Sequence, residues 1–110
     1  MRKNWVGVDL DGTLAYSLEE YETGEFGSPI EKMVNRVIEW KYQGTNIRIF
    51  TARVASNNPN RDIEAAAIKD WCIQNIGWEF PITSEKDHDM EVLYDDRAIQ
   101  VVRDTGELVE

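Results

Sequence analysis

Asp9 and Asp11 stand one residue apart in Val6-Gly7-Val8-Asp9-Leu10-Asp11-Gly12-Thr13-Leu14, directly after an apolar run at residues 5–8. The run reads as a short buried strand. In an open α/β sheet, ligands sit beyond the carboxyl ends of the strands. Side chains alternate with period two, so carboxylates at i and i+2 leave on the same side. Their repulsion invites a cation, and hard carboxylate oxygens suit Mg²⁺. Gly12 lets backbone N–H groups come close to a ligand. Asp-Gly is also an ordinary turn signal. Asp-x-Asp-Gly also opens calcium loops, but those follow a helix and need oxygen ligands at alternate positions. Here a strand precedes Asp9, and Leu14 and Ala15 are apolar.

Two further strand ends carry chemistry. Residues 46–50 form an apolar run followed at once by Thr51-Ala52-Arg53. A hydroxyl and a guanidinium both donate hydrogen bonds to phosphate, the guanidinium two at a time. Residues 91–97 form another strand, ending in Asp95, Asp96 and Arg97. Between them lies the polar stretch 84–90, with Lys86 among acids and His88, the only histidine. A solvated turn is the plain reading of that stretch, and His88 reads as a bystander.

The elements that must position these groups alternate strand and helix, which implies an α/β fold with a parallel sheet. Residues 15–28 are polar, with two glycines, and read as a long surface loop beside the first carboxylates. Tyr16, Tyr21 and Phe26 within it read as anchors of the loop to the body rather than as substrate contacts. Ser28-Pro29 reads as the start of a helix, with Ser28 as cap and Glu31 at capping-box spacing. Ile30, Met33, Val34, Val37 and Ile38 give that helix one apolar face, and Gly44 ends it. A second helix spans 61–76, capped by Asn60, with Ala65, Ile68, Trp71, Cys72 and Ile76 toward one face. Residues 80–83 form a frail or edge strand because of Pro81. Residues 98–102 read as a last strand before a turn at 104–107 that suits a terminal hairpin.

A chain of 110 residues with 42% apolar and 30% charged residues fits one domain, residues 1–110. The net charge of −9 argues against a broad grip on nucleic acid or anionic membrane. A lone cysteine, Cys72, makes no internal disulfide and reads as core. The basic start, residues 1–4, is followed by no long apolar run. A cytoplasmic protein without membrane contact is the expectation.

Taken together, the motifs resemble those of haloacid dehalogenase (HAD) superfamily phosphatases. The first is Val8-Asp9-Leu10-Asp11-Gly12-Thr13-Leu14, the second Ile47 to Thr51, the third Lys86 and the fourth Asp95-Asp96. The resemblance implies a three-layer Rossmannoid fold with a mainly parallel sheet. The gaps between motifs leave no room for a cap domain. It implies Asp9 as nucleophile and Asp11 as general acid and base. It implies Mg²⁺ held by Asp9, Asp11 (through its carbonyl) and one or both of Asp95 and Asp96, and a phosphoryl group bound by Thr51 and Lys86. Tyr94-Asp95-Asp96-Arg97 with Thr51-Ala52-Arg53 is also similar to the 3′-phosphatase domain of bacteriophage polynucleotide kinases, which adds Arg53 to the phosphate ligands. The implied activity is phosphomonoester hydrolysis on a small phosphorylated substrate, such as a nucleotide, or on a nucleic-acid end. A phospho-accepting receiver-like domain or a non-catalytic phosphate-binding domain is the alternative. Receivers place the acidic pair early and the acceptor later, the reverse of the order here.

Overall fold

A computed structural model of the chain describes residues 4–109. The basic residues 2 and 3 lie outside the described residues. Four strands, β1 (Trp5–Asp9), β2 (Ile47–Phe50), β3 (Ile82–Thr83) and β4 (Met90–Tyr94), form one sheet in the order β3-β2-β1-β4. All three pairings are parallel. Helix α1 (Glu31–Tyr42) links β1 to β2, and α2 (Arg61–Asn75) links β2 to β3. A 3₁₀ turn over Ala52–Val54 follows β2.

The period-two alternation of β1 decides which face carries the core. Val6 and Val8 pair with Ile47 and Ile49, so these four side chains share a face. Val8, Ile47 and Ile49 cluster with Met33, Val34 and Val37 of α1 and with Ile68, Trp71 and Cys72 of α2. Each fully buried Leu or Val there is worth roughly 1.5–3 kcal/mol. The other face carries Trp5 and Gly7, in register with Arg48. It is covered by the link between β3 and β4: Asp87 accepts from Trp5 Nε1 at 2.7 Å and from Arg48 at 3.2 Å. The Arg48 guanidinium also lies 4.5 Å from the Trp5 ring. This arrangement matches the expected parallel α/β, Rossmann-like architecture.

Three local expectations need correction. First, α1 begins at Glu31, not Pro29, and no side chain caps it. Residues 28–30 are instead extended and bonded back onto 14–16: Tyr16 N donates to Ser28 O at 2.9 Å, and Ile30 N to Leu14 O at 2.7 Å. Those bonds bring the two ends of the 15–28 loop side by side. Second, Asn60 precedes α2 as expected, but its side chain donates to Thr23 Oγ1 at 3.2 Å rather than capping. Third, residues 98–102 form no strand. Val101 makes one isolated antiparallel bridge with Leu108, and Ile99 is 72% exposed. The segment pairs only with 107–109, Val102 N donating to Glu107 O at 2.7 Å and Val109 N to Gln100 O at 3.0 Å, so the expected terminal hairpin forms but adds no strand to the sheet. Elsewhere the frail strand at Pro81 is indeed a two-residue edge, β3.

Candidate functional site

The register of β1 against β4 builds the first half of the site. Val8 pairs with Tyr94, so the next residues, Asp9 and Asp95, leave neighbouring strand ends together. One carboxylate oxygen from each of Asp9, Asp95 and Asp96 lies within 4.8 Å of the others. Asp9 feels the crowding most. Burial, a hydrogen bond with Asp96 and repulsion from Asp95 and Asp96 raise its pKa from 3.8 to about 7. Three hard oxygens at this spacing, one of them costly to ionise, are a donor set that fits a small divalent cation.

Thr13 joins the two loops that carry these carboxylates. Its Oγ1 accepts from Asp96 N at 3.1 Å and lies 3.2 Å from Asp96 Oδ1 and 3.4 Å from Asp9 Oδ2. Gly12 makes the approach possible. Its φ is +89°, and a Cβ there would stand 2.5 Å from Asp96 Oδ2. The positive φ favours glycine, and a larger residue would also have to push the Asp96 carboxylate aside.

Asp11 does not join the trio with its side chain. Its two oxygens accept from Arg53, Nε to Oδ2 at 2.8 Å and Nη2 to Oδ1 at 2.9 Å. Arg53 reaches this position because the Thr51 hydroxyl accepts its backbone N–H at 3.1 Å, fixing the turn after β2. Nη1 of Arg53 contacts Glu64 of α2 at 3.2 Å, and Glu64 Oε1 accepts from Gly24 N at 2.7 Å. Glu64 is only 3% exposed. The rings of Tyr21 and Phe26 lie 4.0 and 4.4 Å from the guanidinium carbon. Burial disfavours the charge on Arg53, but Asp11 and Glu64 outweigh it, and its pKa is raised. Arg53 thus ties β2, α2 and the 15–28 loop together; Phe26 packs against the core, whereas Tyr21 stacks on Arg53 and also lines the cleft, half exposed. Tyr16 is instead 58% exposed.

Asp9, Asp11, Tyr21, Arg53 and Glu64 line a cleft of about 600 Å³, together with Thr51, Asp95, Arg97 and residues of the 15–28 and 57–59 loops. Asp9, Asp11, Thr51, Arg53 and Asp95 therefore meet at one rim, with Asp96 beside Asp9. Lys86 is exposed and is not among the lining residues. Its neighbour Asp87 is bonded to Trp5 and Arg48 on the sheet face. Glu64 joins the candidate site although reading along the chain gave it no role there, and Thr13, read only as part of the first motif, bridges its carboxylates. Glu64 had a signal, because it falls on the apolar face of α2 with Ile68, Trp71 and Cys72. An acid in that stripe needs a buried partner. Cys72 is core, and burial pushes its thiol up to about 12.

The fold is similar to that of a conserved protein from Bacteroides thetaiotaomicron. The match covers 88% of this chain and 78% of that chain, with a TM-score of 0.60 and 17% sequence identity. At that identity the likeness concerns the fold alone. No protein-family model and no curated protein matches the chain. Among the described residues, no helix is long and apolar enough to cross a membrane.

Proposed function

We propose that the protein is a Mg²⁺-dependent phosphomonoester hydrolase of the HAD type that works through an aspartyl-phosphate. The observation that carries this reading is the meeting of Asp9 with Asp95 and Asp96 at adjacent strand ends, within 4.8 Å. In the first step an oxygen of Asp9 bonds to phosphorus and the bond to the leaving oxygen breaks. Asp11 supplies the proton that the leaving alcohol takes up. In the second step water attacks phosphorus, Asp11 takes its proton, and the carboxylate of Asp9 is released with inorganic phosphate. Mg²⁺ bound by Asp9, Asp95 and Asp96 would neutralise charge that otherwise keeps phosphate from Asp9.

The remaining groups follow from their bonds. Thr51 Oγ1 accepts from Arg53 N and so keeps its own hydrogen for a phosphoryl oxygen. The two bonds from Arg53 fix the Asp11 carboxylate in place and leave each oxygen a second lone pair for the transferred proton. Arg53 therefore positions Asp11 rather than gripping phosphate. The −9 charge favours a nucleotide, another small phosphomonoester or a strand end over long nucleic acid.

The test is phosphate release with Mg²⁺ from nucleotides, sugar phosphates and 3′-phosphorylated oligonucleotides. Asp9→Asn keeps the shape of the side chain and removes the nucleophile, so turnover falls by several decades. Acid-quenched wild-type protein carries one phosphoryl group on Asp9. Substantial turnover by Asp9→Asn, or release without that adduct, contradicts the reading. A stable adduct without release supports the receiver-like alternative.

A further inference from the structure

We infer that Arg97 is the anion-binding cation of the cleft, the group that receives the phosphoryl oxygens of the substrate. This rests on the phosphatase reading for its catalytic meaning, but the anion site stands on its own observations. Two cations line the cleft, Arg53 and Arg97, and the first is already engaged. The guanidinium of Arg53 is largely engaged: Nε, Nη1 and Nη2 each bond a carboxylate, two aromatic rings lie over it, and its side chain is 3% exposed. Lys86 lies outside the cleft lining. Arg97 lines the cleft, is exposed, and has no side-chain hydrogen bond or ion pair among the described residues.

The root of Arg97 is nevertheless held. Its backbone N–H donates to Asp95 Oδ1 at 2.7 Å, so the side chain springs from a fixed point beside the carboxylate trio. Asp9, Asp11, Glu64 and Asp95 also line the cleft against only Arg53 and Arg97, so a phosphate dianion there draws on Arg97 in addition to the metal. A guanidinium offers a planar fork that matches two phosphate oxygens.

The experiment measures binding of inorganic phosphate in the presence of Mg²⁺ by calorimetry, together with KM and kcat for a hydrolysed ester. Arg97→Ala should weaken phosphate binding at least tenfold and raise KM by a similar factor. Arg97→Lys should recover part of the loss. Arg103→Ala, which removes the same charge from the exposed terminal turn, should match wild type. Unchanged melting curves show that the variants fold. Wild-type affinity in Arg97→Ala, loss confined to Lys86→Ala, or no phosphate binding by wild type would each overturn the inference. Binding that depends on Arg97, with no ester hydrolysed, leaves the anion site standing and removes the phosphatase reading. Hydrolysis that ignores Arg97 does the reverse.

Discussion

Arg53 and Asp11, 42 positions apart, share two parallel hydrogen bonds of 2.8 and 2.9 Å. The pair is the crossing point of three segments, because the same guanidinium reaches Glu64 and sits against Tyr21 and Phe26. Removing one partner of a buried ion pair strands the other charge, which typically costs about 3–5 kcal/mol. Arg53→Met, which keeps the bulk and drops the charge, should lower unfolding free energy by about that much. Adding Glu64→Gln should restore part of it. Urea denaturation of the two variants checks this, and a loss well under 1 kcal/mol for Arg53→Met speaks against the tie.

The crowding of Asp9 predicts an unusual pH slope for the metal-free protein. Folded Asp9 holds its proton up to about 7, whereas 3.8 is its ordinary value. Between those values the folded state binds more protons than the unfolded state, so stability falls as pH rises. Above about 7 this contribution is flat. Melting in EDTA from pH 4 to 8 should show the decline in wild type and a shallower one in Asp9→Asn. Parallel curves would count against the proton on Asp9.

Divalent cation should reverse that effect. With Mg²⁺ at about a hundred times its dissociation constant, binding stabilises the folded state by about 2.7 kcal/mol. The melting temperature should rise most at pH 8, where Asp9 has already lost its proton. Asp95→Asn and Asp96→Asn should each cut the rise, and the larger cut identifies the stronger ligand. An equal rise in both variants and wild type would place the cation elsewhere.

Gly12 offers a test of local geometry. Its φ of +89° and the 2.5 Å approach of a built Cβ to Asp96 oppose any larger residue. Gly12→Ala should destabilise by more than about 1 kcal/mol and weaken the Mg²⁺-induced rise as Asp96 is pushed aside. Normal metal response in this variant would show that Asp96 has room to move.

Much of this arrangement is legible along the chain because strand ends announce themselves. Apolar runs stopping at Asp9, Thr51 and Asp95 place chemistry at strand ends, and parallel pairing brings those ends to one rim. What escapes a linear reading is partnership. Nothing near Asp11 says that Arg53 will occupy it. Lys86 has the right type of side chain, but Trp5 and Arg48 hold its neighbour Asp87 on the sheet face. Ser28 and Glu31 have capping-box spacing, yet residues 28–30 are drawn into bonds with 14–16 before a helix can start there. Ile99 and Val101 look like a sheet strand, but the segment pairs only across its own turn, with 107–109.

Cys72 has a practical consequence for studying the 15–28 loop. Its thiol is 1% exposed and burial holds its pKa at about 12, so it resists alkylating dyes at neutral pH. A cysteine introduced at exposed Ser17 would therefore be the reactive thiol of the chain. A fluorophore attached there would report in real time whether that loop shifts when phosphate or metal arrives.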